Sequence, residues 1–455
     1  MRFAHLGLFF GLAIPALVAQ DTRTVTEPHL PPACAVLDAE IQAEHDAIPA
    51  ADEHRLDTAR IQEAIDHCLA GHAVVLQSAG DKRVFLTGPL HLRSGVTLVV
   101  AANTVLAASR DPRVYDLAPG SCGVVNQKGH GCKPVIAVDG AKNSGIMGEG
   151  AIDGRGGAKL LGQKVSWWDL AHQAQVKDLY QSVPWLIILH HADNFTMYRI
   201  TLRNSPMFHV SVGQTDGFTA WDIKIWSPKN ARNTDGIDPS SSRNVTITHC
   251  FIHTGDDDVA VKSGHAGPSS NISVAHNHFY TGHGMSIGSG TDGGVDHMLV
   301  EDLTIDGADN GIRIKSDRSR GGLVHEIVYR DVCMRNVKNP LLFTPYYAKL
   351  PGDMIPVYRD ILLSDLHIET AGTYTFAGFD AAHKLGLQFD NVFADDQQHS
   401  RFIARDADIA IGPHKGNLAP AGEDVFLNAL RGSRIGEPVA CGSRYVEFPA
   451  ASIGQ

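Results

Sequence analysis

Six short segments of this chain follow one another at nearly constant spacing, and this repeat constrains the fold more than any other feature. The segments start at Asn194, Gly217, Asn244, Asn271, His297 and His325, and successive starts are 23, 27, 27, 26 and 28 residues apart. A period in the twenties, with short β-branched runs between turns, predicts an all-β parallel solenoid. Leucine-rich repeats share the period but not the residue pattern, and a β-sandwich would place its turns closer together.

The 455 residues fit a leader followed by one elongated domain. Residues 1–19 are predicted to be a signal peptide, because Arg2 precedes an apolar run that ends near the small residue Ala19. Residues 20–55 are predicted to be irregular, and residues 56–455 to form a single solenoid domain. We therefore expect an exported, water-soluble protein.

A short helix is predicted at the start of the solenoid. Asp57 precedes an amphipathic run over residues 58–69, in which Ile61, Ile65 and Leu69 recur at helical spacing. Such a helix would cap the N-terminal end of the solenoid. At the other end, the segment from about residue 400 carries no recognisable motif, and we expect it to finish or cap the solenoid.

Net charge limits the classes of partner. The chain carries −11 at pH 7, and the charge becomes −12 once Arg2 leaves with the signal peptide. An acidic protein is not expected to bind nucleic acid nonspecifically. Hydrophobic residues at 43% and charged residues at 20% are typical of a soluble globular protein rather than a membrane protein. An acidic protein that binds a polyanion needs a locally basic groove.

Seven cysteines are consistent with export. Cys122 and Cys132 flank a glycine-rich loop and predict a local disulfide. A second predicted pair, Cys34 with Cys68, would join the N-terminal segment to the first helix. The odd number leaves at least one free thiol, for which Cys250 and Cys333 are the candidates. The spacings contain no Cys-x-x-Cys, which argues against a zinc site.

Aligning the repeats places residues from neighbouring coils in columns. Ile237, Val259, Met285 and Ile312 form one column that should point inward; Asp235, Asp257, His283 and Asn310 form the column two positions earlier. Two further columns contain Asp238, Ala260, Ser286 and Arg313, and Ser240, Lys262, Gly288 and Lys315. Because neighbouring strands lie about 4.8 Å apart, Asp235, Asp257 and His283 should lie within roughly 10 Å along one face. Carboxylates therefore occupy the middle of a stripe that has a cationic end.

The three consecutive aspartates Asp256, Asp257 and Asp258 suggest acid–base chemistry in this stripe. An isolated acidic run is usually a solvated turn, but here Asp235 lies one coil below it and His283 one coil above. Glycoside hydrolysis requires one protonated carboxyl and one ionised carboxylate. Mutual repulsion between crowded carboxylates supplies both states. Exposed Arg313 and Lys315 suit a sugar carboxylate.

Four motifs in order resemble glycoside hydrolase family 28, the polygalacturonases. They are Asn233-Thr-Asp-Gly-Ile-Asp238, Thr254-Gly-Asp-Asp-Asp-Val-Ala260, Gly282-His-Gly-Met-Ser-Ile-Gly288 and Arg313-Ile-Lys315. The motif sequences are closer to those of bacterial than of fungal members, and weaker similarity runs from about Cys34 to about Asp390. The resemblance implies a right-handed parallel β-helix and an inverting hydrolase without metal or other cofactor.

The resemblance also implies individual roles. Asp256 would be the general acid, Asp235 and Asp257 would position and deprotonate the attacking water, and His283 would support the acid. The substrate polygalacturonate would be bound by Arg313, Lys315, Asn233 and a tyrosine, for which Tyr347 fits best and Tyr346 is the alternative. Asp258 departs from the pattern, because many members have Cys there, and its extra charge could shift neighbouring pKa values.

Three other functions remain open from the sequence. A rhamnogalacturonan hydrolase would share the fold and the carboxylates, and a pectate lyase would need calcium and a basic residue. A solenoid adhesin or carbohydrate-binding module would need neither the calcium nor the basic residue of a lyase. Endo attack is favoured over exo attack, but it depends on loops that the sequence does not reveal. We expect the protein to act as a secreted monomer.

Overall fold

A computed structural model describes residues 20–43, 47–348 and 350–449. The predicted signal peptide, residues 1–19, lies outside the described residues. The chain forms a right-handed parallel β-helix. Strands of successive coils stack into three parallel sheets that form the sides of the solenoid, here called the first, second and third sheets. This architecture confirms the solenoid predicted from the repeat, because equivalent segments of successive coils pair in parallel.

The first sheet runs the length of the solenoid. Its strands are Ala33–Asp38, His72–Gln77, Val96–Val100, Gly145–Met147, Phe195–Tyr198, Asp216–Trp221, Arg243–Thr248, Ser269–Phe279, Val295–Asp306, Ile327–Arg335, Ile361–Ile368, Leu385–Ala394, the second half of Arg401–Ile411, and Glu423–Ala429. Two short strands, Leu323–Val324 and Val357–Tyr358, extend its edge.

The second sheet begins with Ile41–Gln42, which pairs antiparallel with Lys82–Thr87, and continues through Val105–Ala108, Ala151–Asp153, Thr201–Arg203, Lys224–Trp226 and Phe251–His253. After these coils, the long strands of the first sheet bend into the second. Ser269–Phe279, for example, pairs with a strand of each sheet.

The third sheet comprises Leu90–His91, Ile136–Asp139, Ile187–His190, Val210–Gly213, Ile237–Ser240, Val259–Ser263, Met285–Thr291, Asn310–Lys315, Asn339–Thr344, Thr373–Ala377 and the first half of Arg401–Ile411. Outside the solenoid, Val124–Asn126 pairs antiparallel with Tyr180–Ser182, and His414–Lys415 pairs with Arg434–Ile435. Two short 3-10 helices span Pro112–Tyr115 and Gly442–Arg444.

The register of the third sheet confirms the predicted inward column. Ile237 pairs with Val259, Val259 with Met285, and Met285 with Ile312, and all four side chains are fully buried. Burying one such side chain stabilises the fold by about 1.5–3 kcal/mol. Because side chains alternate along a strand, fixing this column inward directs the residues between them to the outer surface.

The first helix, α1 (Thr58–His67), buries Ile61 and Ile65 against the end of the solenoid as predicted. It is shorter than the predicted range 58–69: Leu69 lies beyond its end and is 69% exposed. Asp57 occupies the N-cap position without capping the helix through its side chain. Its carboxylate instead accepts hydrogen bonds from the Leu86 backbone N–H, at 3.1 Å, and from Arg60.

A second helix, α2 (Trp167–Lys177), was not predicted. The helix begins with a capping box. The Ser166 hydroxyl accepts a hydrogen bond from the Asp169 backbone N–H, and the Asp169 carboxylate accepts one from the Ser166 backbone N–H. This Ser-x-x-Asp signal was present in the sequence. No helix among the described residues combines the length and apolar character needed to cross a bilayer.

The N-terminal segment is more ordered than predicted. Residues 20–55 were expected to be irregular, but Ala33–Asp38 pairs in parallel with His72–Gln77 and Ile41–Gln42 pairs with Lys82–Thr87. Without these two strands, the first coil would expose unpaired backbone N–H and C=O groups at the edge of each sheet. The two strands pair with those groups and cover the edge.

The C-terminal segment extends the solenoid with its last strands and then returns along the outside of the second sheet. Arg444 forms ion pairs with Asp302 and Asp331, both at 2.6 Å. Phe448 packs edge-on against Tyr280 at 5.4 Å between ring centroids. These contacts join residues more than 100 positions apart in sequence.

Three disulfides are formed: Cys34–Cys68, Cys122–Cys132 and Cys333–Cys441. The first two are the pairs expected from the sequence. Of the two candidates for a free thiol, Cys250 is free and buried, whereas Cys333 is bonded. The Cys333–Cys441 disulfide fixes the returning C-terminal segment to the outside of the solenoid.

Candidate active site

The candidate site lies on the outer surface of the third sheet, where the turns from the second sheet enter it. Asp235 precedes Ile237–Ser240, Asp256 and Asp257 precede Val259–Ser263, and His283 precedes Met285–Thr291. Arg313 and Lys315 lie within Asn310–Lys315. The repeat therefore brings together residues that are up to 80 positions apart in sequence, as the column alignment predicted.

The glycines of the Gly-His-Gly motif allow His283 to reach the aspartates. Gly282 has a φ of 136° and Gly284 a φ of 65°, both in the region that favours glycine. A Cβ on Gly282 would collide with Thr254, the Asp256 carbonyl and Asp258, and one on Gly284 with the backbone of the next coil. The tight turn lets the His283 backbone N–H donate to the Asp256 carbonyl at 2.8 Å.

Asp257 is buried and neutralised by two cations. Its Oδ1 accepts from the Ser286 hydroxyl at 2.9 Å and from the Arg313 guanidinium, and its Oδ2 accepts from Lys315 Nζ at 2.8 Å. Burial alone would raise the pKa of Asp257, but the charges of Arg313 and Lys315 hold it well below its usual value. The two cations therefore favour the ionised form of Asp257.

Arg313 and Lys315 were expected to be exposed and available to substrate. They do point away from the solenoid interior, but they are only 6% and 4% exposed, because both reach back to Asp257. Arg313 Nε also donates to the Ser286 hydroxyl at 3.0 Å. The two cations are thus fixed in position, and a substrate anion would share them with Asp257.

Asp256 is the most accessible of the three predicted catalytic carboxylates. Its side chain is 18% exposed, compared with 5% for Asp235 and 2% for Asp257. His283 Nδ1 lies 2.9 Å from Asp256 Oδ1, and Asn233 Nδ2 donates to Oδ2 over a longer 3.3 Å. Burial raises the pKa of Asp256, but the hydrogen bond and charge of His283 outweigh it and bring the pKa below its usual value.

The pKa of Asp235 is shifted in the opposite direction from those of Asp256 and Asp257. Its Oδ2 lies 3.4 Å from Lys262 Nζ, and its Oδ1 is buried with no hydrogen-bond partner among the described residues. Burial, followed by the charges of Asp238 and Asp256, raises the pKa of Asp235 well above its usual value. Burial also raises the pKa of Asp238 to about 6, although Lys262 donates to it at 2.6 Å. Burial and neighbouring charges therefore shift the pKa values of the carboxylates in opposite directions, raising that of Asp235 and lowering those of Asp256 and Asp257.

Asp258, the residue that departs from the family pattern, lies beneath the site rather than in the groove. It is fully buried, with Oδ1 accepting from the Thr254 hydroxyl at 3.1 Å and Oδ2 from the Gly284 backbone N–H at 2.9 Å. Burial raises its pKa well above the usual value despite these hydrogen bonds. This raised pKa favours the neutral form of Asp258, and its hydrogen bonds connect two turns of the site.

The two tyrosine candidates differ in their exposure and in the residues that they contact. Tyr347 is 48% exposed, and Lys315 Nζ lies 4.9 Å from the centre of its ring. Tyr346 instead stacks on Phe379 at 5.5 Å between centroids and donates its hydroxyl to the Phe379 carbonyl. Tyr347 is therefore the tyrosine beside the cationic end of the site.

Four polar residues complete the site without having been assigned a role from the sequence. Ser286 connects Arg313 with Asp257, and Lys262 connects Asp235 with Asp238. Ser286, Lys262 and Asp238 were already in the aligned outward columns, so the signal was present. The fourth, Gln181, donates to Asn233 Oδ1 at 3.0 Å and lies in the short strand Tyr180–Ser182, which is outside the solenoid and which the repeat does not align.

The donor atoms of Asp256, Asp257 and His283 lie within 4.8 Å of one another, a spacing that a metal ion could use. The donor set does not favour one, because both Asp257 oxygens already accept from cationic side chains and a metal would have to displace them. A second group, His367, Glu369 and Cys441, includes a cysteine that is bonded to Cys333. Neither group fits a resident metal.

Comparisons with known proteins point to the same chemistry. The model described as Glycosyl hydrolases family 28 matches residues 69–375. An endo-polygalacturonase of Pectobacterium carotovorum subsp. carotovorum is 46% identical over 389 residues, which cover 85% of this chain and 92% of the relative. A polygalacturonase of Ralstonia nicotianae is 40% identical over 446 aligned residues, covering 86% of this chain and 84% of the relative.

A solved structure supports the same assignment. The polygalacturonase from Erwinia carotovora ssp. carotovora superposes with a TM-score of 0.76 at 38% identity, covering 92% of this chain and 100% of that one. The family model spans more than half of this chain and includes every turn of the candidate site described above. On these grounds the chain belongs to glycosyl hydrolase family 28 and is a glycoside hydrolase.

Proposed function

We propose that the protein is a polygalacturonase that hydrolyses α-1,4-galacturonosidic bonds of de-esterified pectin by an inverting, metal-independent mechanism. The observation that carries this proposal is the clustering of Asp235, Asp256 and Asp257 beside Arg313 and Lys315, with the pKa of Asp235 raised and that of Asp257 lowered. The aspartates supply the acid and base of glycoside hydrolysis. The two cations and Tyr347 form a site that suits the carboxylate of a galacturonate ring.

Asp256 is proposed as the general acid, because it is the carboxyl most open to the groove. His283 holds Oδ1 closely, whereas the 3.3 Å contact of Asn233 with Oδ2 is looser. Oδ2 is therefore the oxygen that carries a proton to the glycosidic oxygen. An entering polygalacturonate chain displaces water and adds negative charge, and both effects raise the pKa of Asp256 and favour its protonated form.

Asp235 and Asp257 are proposed to position and deprotonate the attacking water. Asp257 is held ionised by its two cations, and the free Oδ1 of Asp235 is available to accept a hydrogen bond. The raised pKa of Asp235 favours its protonated form in the free protein, and Asp235 acts as a base only in its ionised form. Lys262 Nζ lies 3.4 Å from Asp235 Oδ2 and 2.6 Å from Asp238 Oδ2, and its charge favours the ionised form of Asp235 that a base requires.

Endo attack, export and a monomeric state complete the proposal. Endo attack is supported by the relatives, since the Pectobacterium protein bears the name endo-polygalacturonase and 92% of its length is covered. Export is supported by three disulfides, which persist mainly in oxidising compartments. The predicted signal peptide agrees with that location.

Reducing-sugar release from de-esterified polygalacturonate, with a chelator present, tests the proposal. Wild type should release saturated oligomers of mixed length early, whereas Asp256→Asn should lose at least about 1,000-fold in kcat because the proton donor is removed. Asp66→Asn, an exposed aspartate on α1, is the matched control and should retain wild-type activity. Release from rhamnogalacturonan alone, or equal rates for wild type and Asp256→Asn, would sink the assignment.

A further inference from the structure

The column that contains Asp235 and Asp257 continues beyond them into earlier coils. Ile187 pairs with Val210, and Val210 with Ile237. Two positions before each of these lie Trp185, Phe208 and Asp235. Because successive coils are about 4.8 Å apart, Phe208 lies roughly 5 Å and Trp185 roughly 10 Å along the solenoid from Asp235.

The two aromatic side chains form one platform. The centroids of the Trp185 and Phe208 rings are 4.7 Å apart, and the ring planes are tilted by 42°. Both side chains are half-buried, so part of each ring remains accessible. The solenoid core does not require them, because Ile187 and Val210 fill the inward positions of the same two coils and are fully buried.

Lys262 connects this platform to the catalytic carboxylates. Its Nζ lies 4.5 Å from the centre of the Phe208 ring while it donates to Asp235 and Asp238. The ammonium of Lys262 therefore covers one face of the Phe208 ring. Trp185 is the next aromatic residue in the column, one coil farther from Asp235. The platform lies on the opposite side of Asp235 from Arg313 and Lys315.

We propose that Trp185, supported by Phe208, forms a distal sugar subsite that binds a galacturonate ring of a long substrate by stacking. A pyranose ring has an apolar face of C–H groups that packs on an aromatic plane while its hydroxyl groups remain in water. A chain that contacts both this platform and the cationic end would place the scissile bond over the aspartates. The inference rests on the proposed polygalacturonase function and adds a subsite to it.

The test measures binding without hydrolysis, in an Asp256→Asn background. Binding of saturated oligogalacturonides of increasing length is followed by calorimetry, with Trp185→Ala compared against Trp185→Phe. Loss of one aromatic contact should weaken binding of the longer oligomers by about tenfold in Trp185→Ala and by less in Trp185→Phe. Trp221→Ala is the matched control, because Trp221 lies in the first sheet and stacks on His249 at 4.9 Å.

In otherwise wild-type protein, Trp185→Ala should raise KM for polygalacturonate by a similar factor and slow long oligomers more than short ones. If Trp185→Ala melts earlier than the control, Trp185→Leu, which fills space without a flat ring, replaces it. Equal affinity of Trp185→Ala and the control for every oligomer length would overturn the subsite. Failure of wild type to hydrolyse polygalacturonate would instead overturn the proposed function, and the binding series would still decide the subsite.

Discussion

Lys315 Nζ lies 2.8 Å from Asp257 Oδ2, so a cation expected to hold the substrate already holds a carboxylate of the protein. The same ammonium is 4.9 Å from the centre of the exposed Tyr347 ring. Lys315 therefore connects the ionisation of Asp257 with the surface that receives the substrate. Changing Lys315 should affect both substrate affinity and the chemical step.

Lys315→Met should raise KM and lower kcat together, reducing kcat/KM by at least about 100-fold, because a binding charge and a partner of Asp257 are lost at once. The pKa of Asp257 should rise, so the acid limb of the pH profile should move to higher pH. Steady-state kinetics from pH 3 to 8 check this. Lys384→Met, which removes a lysine near the C-terminal end of the solenoid, is the control. A pure KM effect with an unchanged acid limb would contradict the account.

His283→Gln should change the alkaline limb of kcat/KM. The His283 hydrogen bond and charge lower the pKa of Asp256 in the free protein. A general acid works only while protonated, so removing that influence raises its pKa and keeps it protonated to higher pH. We expect the alkaline limb to move upward and kcat to fall by about 10- to 100-fold, because Asp256 also loses the hydrogen bond that positions its Oδ1. An alkaline limb that stays in place or moves down would show that His283 does not tune Asp256.

Asp258→Cys should make stability less sensitive to rising pH. The folded-state pKa of Asp258 is raised, so the folded protein binds more protons than the unfolded chain, and stability falls as pH rises above the unfolded value near 4. Removing the carboxyl removes this contribution, so the stability of the variant relative to wild type should increase from pH 4 to pH 7. Thermal unfolding at several pH values measures the difference. A constant difference across this range would argue that Asp258 is not held neutral.

Gln181→Glu should lower kcat by about tenfold. Gln181 Nε2 donates to Asn233 Oδ1 and thereby directs Asn233 Nδ2 toward Asp256. A carboxylate in its place cannot donate and would favour the flipped Asn233 amide, which presents an oxygen to Asp256. Kinetics at saturating substrate report the change, and Gln62→Glu, an exposed glutamine on α1, is the control. Wild-type kcat in Gln181→Glu would remove Gln181 from the account.

Replacing both Cys333 and Cys441 by serine should destabilise the protein by about 4 kcal/mol, since the disulfide closes a loop of 108 residues. Urea unfolding measures the loss, and the hydrolysis rate under native conditions should be retained because the disulfide lies outside the groove. A change below about 1 kcal/mol would show that the other contacts of the C-terminal segment suffice to hold it.

The fold and the site were predictable to the extent that they depend on strand register. A period of two within strands and a repeat in the twenties fix which residues share a column, so Asp235, Asp257 and His283 could be placed together from the sequence. The position of Ser286 and Lys262 was fixed in the same way, although their contacts were not.

Contacts made by long side chains and by segments outside the repeat could not be predicted in this way. Column alignment shows that Arg313 points outward, but not that it bends back to Asp257, because side-chain torsions are independent of register. Gln181 and Arg444 belong to segments outside the repeat, so their partners Asn233, Asp302 and Asp331 had no periodic signal. Leu69 shows the limit of helical spacing, since α1 ends at His67 before that position.

The most direct test of the central claim is the anomeric configuration of the first products, followed by proton NMR of wild-type protein on α-linked polygalacturonate with a chelator present. An inverting, metal-independent hydrolase releases the β-anomer first, which then equilibrates with the α-anomer in solution. Initial release of the α-anomer, or loss of activity on addition of the chelator, would contradict the assignment of Asp256, Asp235 and Asp257.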